Sequence, residues 1–298
     1  LITDVHMTEP AVLSSVKTIT SSGTSQTHPF YYITTSTAAS LLHITASSAT
    51  VKNIGFSFLL SFLTGKAGGI SISVLPSLAT AVSTITLSGV TFENNISSVT
   101  GSGGQVATGG ALYIDSGQVT TISSSTFYGN GAFAYSTSTD TAVGLGGGIY
   151  YEGSSPNSIL AVVNSSFTLN SADIGGAIWA DGPIAISTST FTQNTAVADG
   201  GAIHSSYALV VSSSTFRQND AQSGSGGAVF LGNSSAADLT LSGFSGNTAA
   251  LDGGAVYSSS DTILTISTST FSSNMAWRDG GAVFLGGGAD VAVNKSVF

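Results

Sequence analysis

Only 7% of the 298 residues are charged, so any acid–base chemistry would have to come from few side chains. The best local cluster is Asp115, Glu152 and Asp181, each six residues after the first Gly of a pair, at Gly109, Gly146 and Gly175. Three carboxylates on one face would suit the acid–base work of a polysaccharide hydrolase or lyase. No Lys or Arg lies between Lys66 and Arg217, so no cation is at hand to stabilise a carbanion. A solvated surface patch is the plainer reading. A second set, Asp199, Asp252 and Asp279, stands immediately before Gly-Gly, with Asp173 one position earlier. Stacked carboxylates could share a Ca²⁺ ion through oxygen ligands. Ser225 interrupts the set, Arg278 adjoins Asp279, and Asp-Gly is ordinary turn chemistry. No other cofactor is expected. His6, His28, His43 and His204 have no metal-like spacing, and Gly144-Leu-Gly-Gly-Gly148 lacks the Lys-Ser/Thr of a phosphate loop.

A third set is aromatic. The residue four beyond the first Gly of each pair is Tyr113, Tyr150, Trp179, His204, Phe230, Tyr257 or Phe284. Alternation along a strand sets it opposite the Ile, Leu or Val of its own repeat. If the aliphatic residue points inward, the aromatic column points outward. It is then an ordinary exposed β surface, a contact stripe for another chain, or a platform for stacking sugars.

All three sets are placed by a repeat. Phe92, Phe127, Phe167, Phe191, Phe216, Phe244 and Phe271 are each followed three residues later by Asn95, Asn130, Asn170, Asn194, Asn219, Asn247 and Asn274. A Gly-Gly element then follows each pair. A period in the twenties marks a stacked-repeat architecture. Seven and five residues before Phe the chain is usually apolar, as at Ile184 and Ile186, and two before it stands Ser, as at Ser189. The Gly, Ser, Thr and Val content and the alternation exclude helix for most of the chain. The pattern predicts an all-β solenoid of about 25–27 residues per coil, with three short strands per coil. Stacking the coils turns the Phe residues into a buried aromatic column and the Asn residues into an amide ladder.

Gly-Gly-Ala-Ile/Leu/Val paired with Phe-x-x-Asn, over about residues 92–298, resembles the repeat signature of the chlamydial polymorphic outer-membrane proteins and related surface β-helix proteins. The resemblance implies a right-handed parallel β-helix and an extracellular, surface-displayed stalk or adhesin. Residues 1–90 are expected to be degenerate coils of the same helix and 91–298 its regular part, with insertions at 96–108 and 131–145 at one turn of the coil. Both insertions should emerge side by side, where a variable binding feature is usual.

The net charge of −9 excludes a nucleic-acid surface. With no Cys, neither disulfide nor thiolate zinc holds the fold. The longest apolar run, 54–63, is about half a membrane span. Sequons occur at Asn95, Asn164, Asn233 and Asn294; Asn95 is a ladder position, which leaves Asn164, Asn233 and Asn294 as N-glycosylation candidates. With Leu1 first and Phe298 one strand into a new repeat, the sequence reads as a piece of a longer chain. Its bare coil edges would be covered by flanking β-helix or by copies of itself stacked end to end. The expected function is a non-catalytic cell-surface scaffold, acting as a fibre subunit or adhesin-like stalk. The rivals are an adhesin that binds a glycan or cell-surface receptor through its loops or aromatic stripe, and a polysaccharide-active enzyme.

Overall fold

The computed structural model describes residues 11–13, 17–20, 42–44, 48–52, 55–57, 60–61, 70–72 and 83–298, apart from 116–117, 140, 154–157 and 233–234. Among the described residues every strand pairing is parallel, and the strands fall into two ten-stranded sheets, two eight-stranded sheets and one two-stranded sheet. The chain is a parallel β-helix. One regular coil runs through strands Ile178–Ala180, Ile184–Ser187, Thr190–Thr192 and Thr195–Ala196 before the next Gly-Gly pair. Three of these are the expected strands. The fourth has only two residues after the ladder Asn, too few to leave an alternation in the sequence. Strands at 11–13, 42–44 and 70–72 join the same sheet as the Gly-Gly strands, and Ile70 pairs with Leu112. Gly68 and Gly69, a candidate worn copy of the Gly-Gly element, lie outside the described residues.

Of the four connections in the regular coil, three turn on one residue with positive φ. In the coil above these are Thr188 (φ 50°), Gln193 (φ 53°) and Gly200 (φ 68°). A non-Gly residue in this conformation costs about 1–2 kcal/mol, so something must hold it there. At the first corner the next residue is the ladder Ser: Ser189 N–H donates to Ser214 Oγ (3.1 Å), and Ser189 Oγ donates to Ser187 O (2.8 Å). At the second it is the ladder Asn. Asn194 N–H and Nδ2 both donate to Asn219 Oδ1 (3.0 Å each), and Nδ2 also donates to Phe167 O (3.1 Å). Its own Oδ1 accepts the same pair of bonds from Asn170. Every donor and acceptor of this fully buried amide is therefore used, which is the condition for burying it at all.

The third corner admits only glycine. A Cβ on Gly200 would stand 2.3 Å from Ile203 O, and one on Gly201 would stand 2.1 Å from Gly227 O. At the first two corners the side chain points outward instead, so Leu169 and Leu241 are tolerated there at 45% and 58% exposure. Inside, the Phe rings stack at 4.5–4.8 Å between coils from Phe92 to Phe298. The column begins earlier than the repeat predicts. Phe56 stacks on Phe92 at 5.2 Å, and Phe56 O accepts from Asn95 Nδ2. No Asn stands three beyond Phe56, which hid it in the sequence.

Two outcomes follow. Asn194→Ala strands the two Asn170 donors and should destabilise by about 3–5 kcal/mol, read from urea midpoints. Gly201→Ala should cost about 2–4 kcal/mol through its collision with backbone. By contrast Gly243, whose added Cβ would meet only Thr270 Oγ1 at 3.6 Å, should accept Thr with a gain of about 0.5–1 kcal/mol.

Candidate functional site

The Gly-Gly strands are short, and most alternate: Ile178 and Ala180 are buried while Trp179 between them is half-buried, whereas in Leu112–Ile114 the middle residue Tyr113 is buried too. The outward residues stack on one another coil by coil. Centroid separations are 5.2 Å for Tyr113–Tyr150, 4.7 Å for Tyr150–Trp179 and 6.3 Å for Trp179–His204. They are 4.8 Å for His204–Phe230 and Phe230–Tyr257 and 5.3 Å for Tyr257–Phe284. All interplanar angles are 14° or less. Each inner ring thus has both faces covered by its neighbours, and solvent meets only edges. A sugar stacks on a ring face, so the column itself offers no sugar platform. It is a second aromatic ladder on the outer side of the sheet wall. Within it His204 Nδ1 is buried and accepts no hydrogen bond, and burial pushes the imidazole down to about 4.

Beside the tyrosine end run Asp115, Glu152 and Asp181, all half-buried and one coil apart. Tyr113 OH donates to Glu152 Oε2 at 3.3 Å. Burial, and then the charges of Asp115 and Glu152, push the Tyr113 phenol far up. Burial with Glu152, Asp181 and Asp115 pushes Tyr150 up to about 12. The acids border a packed wall. Two open grooves lie elsewhere, one of about 260 Å³ along the Ser corner and one of about 620 Å³ beside Trp277.

The Asp residues at the Gly-Gly corner have other work. Asp199 Oδ1 accepts from Ser225 N–H in the next coil at 2.8 Å, and burial raises its carboxyl above the ordinary value. Asp252, 1% exposed, accepts from Asp279 N–H at 3.2 Å and from Arg278 through Nε and Nη2. The Arg278 hydrogen bonds hold it below the usual carboxylate range. Asp173 Oδ2 accepts from Gly144 N–H at 2.6 Å. These carboxylates cap backbone donors across the corner. Among the described residues no three His, Asp or Glu side chains gather into a group able to hold a metal ion.

The insertions do lie side by side. Strand Ile96–Gly101 pairs with Gly131–Ser136, and Val106–Thr108 pairs with Val143–Leu145. Together they form a two-layered arm, two coils deep, clamped at its base where Asp173 and Ile174 N–H both donate to Gly144 O at 3.0 Å. The arm exposes Tyr135 (57%) and Val106 (45%). Of the sequons, Asn95 is fully buried in the ladder, Asn164 and Asn294 are exposed, and Asn233 lies outside the described residues. Sequence reasoning missed the clamp role of Asp173, whose partner is distant in the chain, and did not single out Trp277. Trp277 replaces the Val197, Gln222 and Ala250 of earlier coils, a break visible only once the coils are aligned.

Among the described residues no helix is long and apolar enough to cross a membrane. The chain is similar to the Chlamydia polymorphic membrane protein (Chlamydia_PMP) repeat, which matches residues 188–206 and 244–259. Each segment takes in one Phe-x-x-Asn and the following Gly-Gly strand. No match was found among curated proteins or among solved structures.

The outer column carries its own pH dependence. The folded state keeps His204 neutral while the unfolded chain takes up a proton at the ordinary value of 6.5. Stability should therefore be full above pH 6.5, fall as pH drops toward about 4, and level off below. The loss is at most about 3 kcal/mol, reduced by cation–π attraction to Trp179 and Phe230. His204→Phe should remove this part of the slope in urea titrations run at successive pH values.

Proposed function

We propose that this chain is a non-catalytic β-helix scaffold of a cell surface, a rod that carries the arm of residues 96–108 and 131–145 as its display element. One observation supports this above the others. The polar side chains of the repeat, Ser and Asn, are used up in bonds along the rod axis, and the period breaks most strongly at the arm. A repeat of this kind makes length and rigidity, and a break in it makes a recognition feature. Similarity to a polymorphic membrane protein repeat supports the surface location. Each coil is held by the coils beside it, so the rod extends by stacking like on like. A stalk within one long chain and a fibre assembled end to end are the two forms of such a scaffold, and the arm would meet a cell-surface receptor.

The enzyme reading finds less support, because Asp115, Glu152 and Asp181 border the packed rings of the outer column.

The test replaces each insertion by the five-residue connection found at 195–199. The shortened chain should keep its β circular dichroism and its rod shape in negative stain, while beads coated with it lose the adhesion to cells shown by beads coated with the full chain. Equal adhesion by both would remove the arm as the display element. Polysaccharide cleavage that disappears in the variant Asp115→Asn, Glu152→Gln, Asp181→Asn would overturn the non-catalytic reading.

A further inference from the structure

The arm ends in an open strand edge. Strand Gly131–Ser136 pairs with Ile96–Gly101 along its whole length, but with Ser171–Ala172 of the next coil only at Gly131 and Ala132. That next coil carries no insertion. Past Ala172 its chain bends into the corner, where Asp173 and Ile174 N–H donate to Gly144 O. Gly131 N–H donates to Asn95 O, and Thr137 N–H to Gly101 O. The odd-numbered residues of the strand therefore face Ile96–Gly101, and the even-numbered ones face the other way. Ala134 and Ser136 thus turn their backbone N–H and C=O groups along the rod toward no strand among the described residues. This edge lies in the middle of the rod, with coils continuing on both sides, and insertion length alone creates it.

Backbone groups left in this way are matched by another backbone. An extended segment laid along Phe133–Ser136 would use these donors and acceptors as an added strand. Two further observations choose its side chains. Tyr135, between the two edge residues, is 57% exposed, while the Phe133 ring lies back over Gly131. A residue added beside Tyr135 would meet an open aromatic ring, which attracts a cation. Between Lys66 and Arg217 the chain has seven Asp or Glu and no Lys or Arg. Two of these acids, Asp173 and Asp199, stand half-buried in the next two coils. A field of one sign draws a partner of the other sign and disfavours a second copy of this acidic chain. We propose that the edge at Phe133–Ser136 is a strand-addition site for an extended, basic segment of a partner protein, with a Lys or Arg side chain over Tyr135. The proposal rests on the reading of the arm as display element and says what kind of partner it takes.

Amide exchange of the full chain, followed by NMR, tests the edge first. The Ala134 and Ser136 amides should exchange about a hundredfold faster than those of Phe133 and Tyr135. The probe is a peptide of alternating Lys and Val, about eight residues long. It should bind saturably below about 1 mM and slow exchange at Ala134 and Ser136. The alternating Glu and Val peptide should bind about tenfold more weakly or worse. So should the Lys and Val peptide N-methylated at two adjacent central residues, which blocks both of its edges without touching the protein. Ala134→Pro removes a donor that faces away from the partner strand, a place where an edge strand tolerates Pro. It should weaken peptide binding about tenfold or more, with circular dichroism and the protection of Phe133 and Tyr135 unchanged. Slow exchange at Ala134 and Ser136 in the free chain would overturn the proposal, as would no binding at about 1 mM peptide. Equal binding of the acidic or N-methylated peptide, undiminished binding by Ala134→Pro, or protection that arises from dimerisation would also overturn it. In the bead assay, undiminished adhesion by Ala134→Pro beside lost adhesion by the shortened chain would remove strand addition and leave the arm as display element.

Discussion

A primary amide buried at a corner of each regular coil is tolerable only if all its hydrogen-bonding positions are filled, and a single coil cannot fill them. Asn194 succeeds because Asn170 and Asn219 lie directly on either side along the axis. The requirement fixes three things together: the spacing of coils, their register, and the positive φ of the residue just before the amide. The Ser ladder repeats the device at a second corner with one bond fewer. The Phe column follows, since rings at a fixed position in registered coils have nowhere to pack but on one another. Apolar burial supplies most of the stabilising energy in such a core, but the amide decides which coil arrangement that burial occurs in.

Features that repeat were legible in the sequence, and features that depend on orientation or on distant partners were not. Phe191, Asn194 and Gly200–Gly201 announce themselves by recurrence, and alternation tells which way Ile178 and Trp179 face. Alternation does not tell how a ring plane is turned. The outer column therefore left an ordinary β surface, a contact stripe and a sugar platform all open, whereas the faces of its inner rings are closed by its own members. Arg278 stands beside Asp279 in the sequence, but its guanidinium reaches back one coil to Asp252. Asp173 looked like one more corner carboxylate, and its clamp on Gly144 exists only because the 131–145 insertion returns to that corner. Phe56 was hidden by the missing Asn, and the two-residue fourth strand by its length.

The regular coil spends its polar chemistry internally, which is why function is to be sought where regularity lapses. The arm lapses in length, through two insertions that pair with each other. His204 lapses in polarity, an imidazole inside a column of carbocyclic and indole rings, at a cost in acid stability and with no ligand-like partner. Similarity to a membrane-protein repeat bears on where such a rod resides, while the coil geometry alone accounts for its shape.

The most direct measurement is a double-mutant cycle on the amide ladder, comparing Asn194→Ala with Asn219→Ala, and Asn130→Ala with Asn247→Ala, by urea unfolding. Neighbouring rungs share hydrogen bonds. The Asn194/Asn219 pair should therefore show a coupling of more than about 1 kcal/mol, the second substitution costing less than the first, while the separated pair should be additive within about 0.5 kcal/mol. Additive losses for Asn194 and Asn219 would contradict the account, for they would mean that each amide acts alone and that the axial ladder is not what holds the coils in register.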